Sequence, residues 1–294
     1  MLLSRVDPSL YKSEIVNVAS VPQRSPFRYP GGKTWLVPYL RDWLAARSTP
    51  TRPAEFIEPF AGGGIASLTV AFEQLAEHVT MVELDTEVAA VWQTVLGGQA
   101  TWLAERIANF ELTPATVECV LNELAQTISE KAFQTILKNR VNRGGILAPG
   151  AGRVKSGESG KGLKSRWYPA TLQKRIRSIG AVKERITFIH GDGLEVIAQN
   201  VHRKEAVFFI DPPYTAGGKR AGSRLYLHSE VDHPALFNIA GQIAGDFLMT
   251  YDDAAEVRAL AQQHGFDFQT VPMKNTHHAE MMELLIGRNL DWLR

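Results

Sequence analysis

Seven short runs of apolar and β-branched residues punctuate the chain, and between several of them lie stretches whose apolar positions recur at helical spacing. The runs are "AEFIEPF" (54–60), "VTMVELD" (79–85), "ITFIHGD" (186–192), "AVFFIDPPY" (206–214), "DFLMTYDD" (246–253), "FDFQTVPM" (266–273) and "MELLIGR" (282–288). The first five are nearly continuous in apolar character, as strands of a parallel sheet covered on both faces must be. The last two are joined by a short connection and suit an antiparallel pair at a sheet edge. Helical patterns such as "SLTVAFEQLAEH" and "AAEVRALAQQHG" supply crossover connections. The pattern predicts an α/β, Rossmann-like sheet of seven strands.

The alternation breaks between Trp92 and Arg185. There the helical patterns "LTPATVECVLNELAQTI" and "KAFQTILKNRV" lead into the glycine-rich "GGILAPGAGRVKSGESGKG". The break puts about a hundred residues between the second and third strands, far beyond an ordinary crossover. The expected organisation is an N-terminal extension (1–25), a sheet domain built from 26–92 and 186–294, and a mainly helical insertion (93–185).

Charge sharpens this division. The 294 residues carry a net charge of only +1, yet thirteen Lys or Arg and two acids fall between Lys138 and Arg185. A near-neutral chain with one strongly basic segment points to a localised polyanion-binding surface. The longest apolar run falls short of the ~18 residues of a membrane span, and "MLLSRVDPSLYKSE" lacks the apolar centre of a signal peptide. A single cysteine, Cys119, agrees with a reducing compartment, and the expectation is a cytoplasmic protein without membrane contact.

Three short motifs carry candidate chemistry. "SPFRYPGGKT" (25–34) ends like a phosphate loop, but the required first glycine is Phe27, and three prolines in the preceding stretch spoil the strand such a loop needs. "FIEPFAGGGIASL" runs from a strand through Gly62 and Gly64 into a helix, and Glu83 ends the next strand. Glycines there let backbone approach a ligand, and an acid at that distance accepts hydrogen bonds from ribose hydroxyls. The spacing suits a dinucleotide or S-adenosylmethionine. The third position of a full G-x-G-x-x-G is Ser67, and the next motif favours the methyl donor.

That motif is Asp211-Pro212-Pro213-Tyr214, behind the apolar run "AVFFI". It places Asp211 at the carboxyl end of a buried strand, where open α/β sheets bind ligands. Two prolines make a stiff turn with exposed carbonyls. Adenine's exocyclic amine is a poor nucleophile because its lone pair is delocalised into the ring. Acceptors on both amine hydrogens, here the Asp211 carboxylate and the Pro212 carbonyl, favour a pyramidal nitrogen. Tyr214 is positioned to stack on a base removed from its duplex.

The order "SPFRYPGGK", "FIEPFAGGG", "HGD", "DPPY", with "ELLI" near the end, resembles the D12-class, Dam-like adenine-specific DNA methyltransferases over most of residues 25–288. The resemblance implies bacterial or phage-encoded N6-adenine methylation of double-stranded DNA, with S-adenosylmethionine as donor and no metal. It is compatible with a homodimer on DNA. It also implies a seven-stranded methyltransferase sheet with residues 93–185 as the target-recognition insertion. Donor contacts carry over to Tyr29, Lys33, Phe60, Gly62, Gly64, Glu83, Asp192 and Asp211. The family commonly has Trp at the Tyr29 position, a small residue at Pro30 and Asp at the Glu83 position; Asp85 is the reserve for Glu83. Asp192 either accepts from the donor's adenine amine or caps the following helix. Lys138, Asn139, Arg140, Asn142 and Arg143 resemble the family's recognition element and are expected to read base edges. Arg153, Lys155, Lys161 and Lys164 are expected on phosphates.

Other chemistries fit less well. Cys119 lies in a helical pattern, unlike the nucleophile of a cytosine C5-methyltransferase. His277-His278 has no second Cys/His cluster at ligand spacing, and the C-x-x-C ligands of a deaminase are missing. Amine-methylating RNA enzymes often carry N-P-P-Y where this chain has Asp211.

Overall fold

The computed structural model describes residues 15–28, 32–47, 52–157, 160–213, 231–274 and 280–294. Tyr29, Pro30, Tyr214, His277 and His278 lie outside the described residues.

Each of the seven apolar runs forms a strand: β1 Glu55–Glu58, β2 His78–Glu83, β3 Ile186–His190, β4 Ala206–Ile210, β5 Asp246–Asp252, β6 Asp267–Lys274 and β7 Glu280–Gly287. They make one sheet in the order β3-β2-β1-β4-β5-β7-β6. β1 to β5 are parallel, and β7 runs antiparallel between β5 and β6. This is a Rossmann-like α/β sheet closed by an antiparallel hairpin.

Alternate residues of each strand feed two cores. On β4, Val207 and Phe209 enter one, while Phe208 and Ile210 enter the other. The first core holds helices α1 (Val37–Ala45), α2 (Ile65–Glu73) and α3 (Thr86–Thr94) against the sheet. The second holds α8 (Gly193–Asn200), α9 (His233–Gln242) and α10 (Ala255–Gln263). A strand apolar on both faces is the sequence consequence of this double cover.

Residues 93–185 contain α4 (Ala100–Ala108), α5 (Pro114–Asn122), α6 (Ile128–Val141) and α7 (Pro169–Ala181). Among the described residues the only strand-like pairing there is a bridge between Asn142 and Arg153. These helices share the first core through Leu103, Phe133, Ile136, Leu137, Leu172 and Ile176. The Lys138 ammonium also pairs with Glu87 of α3 at 2.8 Å. The boundary at residue 93 therefore falls inside α3, a helix that serves both parts. Among the described residues no helix is long and apolar enough to cross a membrane.

Candidate active site

The strand order reverses between β1 and β4, which lie side by side. A doubly wound sheet opens a crevice at such a point, outside the carboxyl ends of its strands. The glycine turn follows β1 and Asp211 follows β4, so the two strongest sequence motifs meet at that crevice.

The glycine turn is held from several sides. The Gly62 N–H donates to Glu83 Oε2 at 2.8 Å, and the Trp92 indole donates to the Gly62 carbonyl at 2.9 Å. The Ser25 hydroxyl donates to the Gly63 carbonyl at 2.5 Å, tying the N-terminal segment to the turn. Gly64 has φ +66°, and a Cβ there would lie 2.7 Å from Met81 Cε and 2.9 Å from the Trp92 ring. Both backbone conformation and space demand glycine.

Glu83 closes β2 with its second oxygen accepting from the Asp85 N–H at 2.8 Å. Burial, opposed by these N–H donors, pushes its carboxyl up to about 7. Asp85 has another task. Its Oδ1 accepts from the N–H groups of Glu87 (2.7 Å) and Val88 (3.2 Å), capping α3. The Glu83 and Asp85 alternatives therefore separate: Glu83 sits on the glycine turn, Asp85 on a helix.

Asp192 likewise caps α8, accepting from Leu194 N–H at 2.7 Å. The adjacent Gly193 packs under the turn after β1, where a Cβ would come within 3.0 Å of the Phe60 ring. Phe60, Gly62, Glu83 and Asp192 thus gather at the carboxyl ends of β1 to β3.

Asp211 is fixed by Lys33 and by Thr250, of which the sequence pattern singled out only the first. Ile210 pairs with Met249, so Asp211 and Thr250 follow as neighbours. The Thr250 hydroxyl donates to Asp211 Oδ1 at 2.6 Å. Lys33 Nζ lies 3.0 Å from the same oxygen and 3.7 Å from Glu283 Oε2 on β7. All of Lys33, Thr250 and Glu283 are buried. The ammonium of Lys33, a residue expected among the donor contacts, thus pairs with the site's own carboxylates. Pro212 is buried behind Asp211 and Pro213 is half-buried.

Glu58, the last residue of β1, is also buried, and one of its oxygens accepts from the Ser67 N–H at 2.9 Å. Burial pushes its carboxyl up to about 8, and the nearby Asp211 acts in the same direction. Its signal in the sequence was an acid inside an apolar strand.

The expected base-reading residues separate into two groups, and part of that expectation is corrected. Asn139 has no exposed surface: its amide donates to the carbonyls of Arg28 (2.9 Å) and Gly145 (2.7 Å), and its oxygen accepts from Arg28 N–H at 2.9 Å. Arg140, 4% exposed, donates to the Pro26 carbonyl. Asn142 is buried, donating to Ile146 O and accepting from Arg153, both at 2.7 Å. These three side chains are committed to holding backbone and to one another's loop, so they do not face a partner. Lys138 is half-buried on Glu87. Arg143, Arg153, Lys155, Lys161 and Lys164 are exposed.

No protein-family model matches the chain, and no curated protein matches it. Among solved structures it is similar to an rRNA methyltransferase from Streptomyces viridochromogenes, with 12% identity, 94% of each chain covered and a TM-score of 0.41. It is also similar to a candidate RNA methyltransferase from Pyrococcus horikoshii, with 11% identity, 92% of each chain and a TM-score of 0.41. A third is a SAM-dependent methyltransferase from Agrobacterium tumefaciens, with 12% identity, 85% of this chain, 59% of that one and a TM-score of 0.39.

Proposed function

We propose that this protein is an S-adenosylmethionine-dependent methyltransferase that modifies N6 of adenine in double-stranded DNA. The observation that carries the reading is the placement of Asp211. Its carboxylate stands at the switch point of the sheet, anchored on one oxygen by Thr250 and Lys33, and is followed by two prolines beside a glycine turn capped by an acid.

Phe60, Gly62, Gly64, Glu83 and Asp192 form the side of the crevice suited to the donor, and its closeness to the turn is what Gly64 preserves. S-adenosylmethionine supplies an electrophilic methyl group on a sulfonium. The protein's part is to prepare the acceptor. With Oδ1 of Asp211 held, Oδ2 is left for one amine hydrogen, and the Pro212 carbonyl suits the other. Two acceptors on one NH₂ group localise its lone pair on nitrogen. As the amine becomes cationic, Asp211 is the carboxylate placed to take its proton, with Lys33 as its ion-pair partner.

DNA is favoured over RNA by the acid at position 211 and by the Lys33 block, both features of the D12-class resemblance. Incubating the protein with duplex DNA and labelled donor is the test. Asp211→Ala should reduce label transfer more than ~100-fold. Absence of label on adenine in DNA of varied sequence would overturn the reading.

A further inference from the structure

Residues 25–28 lie between the glycine turn and the helices of 93–185, and they are bonded to both. Toward the turn, the Ser25 hydroxyl donates to the Gly63 carbonyl at 2.5 Å. The Phe27 ring packs on Trp92, with 5.6 Å between centroids, and the Trp92 indole holds the Gly62 carbonyl. A peptide unit is planar, so fixing these two carbonyls also fixes the directions of the Gly63 and Gly64 N–H groups. The segment thereby sets how the turn presents its backbone.

Toward the helices, the main chain of the segment takes its bonds from side chains. Arg175 of α7 donates to the Ser25 carbonyl at 3.0 Å, and Arg140 of α6 donates to the Pro26 carbonyl. The Asn139 amide holds both the N–H and the carbonyl of Arg28 at 2.9 Å. It also donates to the Gly145 carbonyl at 2.7 Å. Gly145 presses directly on the segment: its φ is +78°, and a Cβ there would overlap the Arg28 carbonyl oxygen. Gly145 belongs to the loop that carries the exposed Arg143 and Arg153. Asn142 draws that loop together, donating to Ile146 O and accepting from Arg153, and the Arg143 N–H donates to Gly152 O at 2.9 Å. A continuous path of hydrogen bonds and close packing therefore joins the loop's exposed cations to the glycine turn.

We propose that Ser25 is a positioning residue of the donor site, and that residues 25–28 couple the glycine turn to the loop at 142–153. This rests on the reading above for its two ligands, a methyl donor at the turn and duplex DNA at the loop. Ser25 acts through the Gly63 carbonyl. Ordering either end of the segment orders the other, so each ligand strengthens the other by the same factor.

The experiment is calorimetric titration with S-adenosylhomocysteine, which allows no turnover, with and without a saturating duplex oligonucleotide. Ser25→Ala should weaken the compound about three- to tenfold, the effect of one lost hydrogen bond. Ser25→Thr should restore most of that loss. Gly145→Ala, on the far side of the segment, should weaken the compound by a similar factor and add little to Ser25→Ala, because both interrupt one path. The duplex should improve wild-type affinity by about fivefold or more, and the improvement should shrink toward none in Ser25→Ala. A merely structural role for Ser25 would lower the melting temperature and leave that ratio intact. Thermal melting identifies variants that fail to fold, and if Gly145→Ala is among them the two Ser25 variants decide. Folded Ser25→Ala with wild-type affinity and wild-type response to the duplex would overturn the proposal. So would additive losses from the two variants, or a wild type that binds the duplex with no effect on the compound. A wild type that does not bind the duplex would reject the DNA reading, and the variants' affinities for the compound alone would then decide the role of Ser25. A wild type that does not bind S-adenosylhomocysteine would reject the donor reading and this proposal with it.

Discussion

Asp211 owes its suitability to groups that arrive from three other segments. Thr250 donates to Oδ1 from the adjacent strand, and Lys33 reaches the same oxygen from the N-terminal block while touching Glu283 on β7. Thr250→Val should therefore lower kcat about ten- to a hundredfold with donor Kd nearly unchanged, and Thr250→Ser should restore most of the rate. A loss confined to donor affinity would contradict this role. Glu83 gives a second prediction, set by its carboxyl at about 7. A ribose hydroxyl donates to the ionised form, and the ionised fraction falls as pH drops through 7. Donor affinity should fall over the same interval, from about pH 8 to pH 6. Glu83→Gln should bind more weakly at pH 8 and lose the pH dependence, which calorimetric titration at three pH values would show. Much of this chemistry was open to sequence reading, because acids at strand ends and a proline pair are local features. Thr250 and Glu283 were not. Their importance depends on which strands are neighbours, and a threonine or glutamate in an otherwise apolar run carries no mark of that.

At the scale of elements, the seven strands were legible because double burial leaves little but apolar residues in them. Their order was not, and it is the reversal between β1 and β4 that brings Gly62 and Asp211 together. The helices between β2 and β3 were legible as a break in alternation, but their outline was not. α3 continues past residue 92 and packs on α6, so one core serves both sides of the expected boundary. The same packing explains why three residues expected on DNA are internal. On an amphipathic helix a polar side chain can face backbone as readily as solvent, and Asn139 makes three bonds to main chain. Asn139→Ala should destabilise the protein by ~2–4 kcal/mol, since it strands the backbone groups of Arg28 and Gly145. Denaturant unfolding would check this, and a variant as stable as the parent would mean that the segment is held by other contacts. Gly64→Ala tests the turn in the same way. Its Cβ meets Met81 and Trp92 at closer than van der Waals distance, so a loss of both stability and donor binding is expected.

For the whole molecule, a net charge of +1 conceals a division of labour. Acid groups collect at the crevice in Glu58, Glu83, Asp211 and Glu283, of which the proposed reading gives Glu83 a hydroxyl and Asp211 an amine. Arg140 and Arg175 hold the main chain of residues 25–26, and exposed basic residues from Arg143 to Lys164 make the positive face. On the proposed reading a polyanion is drawn to the rim and kept off the acidic floor, which needs only a single neutral base to enter. Raising salt should accordingly weaken DNA binding much more than donor binding, a contrast that parallel titrations would measure. The central claim is the identity of the methylated atom. The most direct measurement is base-resolved mapping of modified nucleosides in a host without adenine methylation of its own, expressing either this protein or its Asp211→Ala variant. The account predicts N6-methyladenine in double-stranded DNA, confined to one sequence context and missing with the variant. Unmodified DNA alongside newly methylated RNA would contradict it.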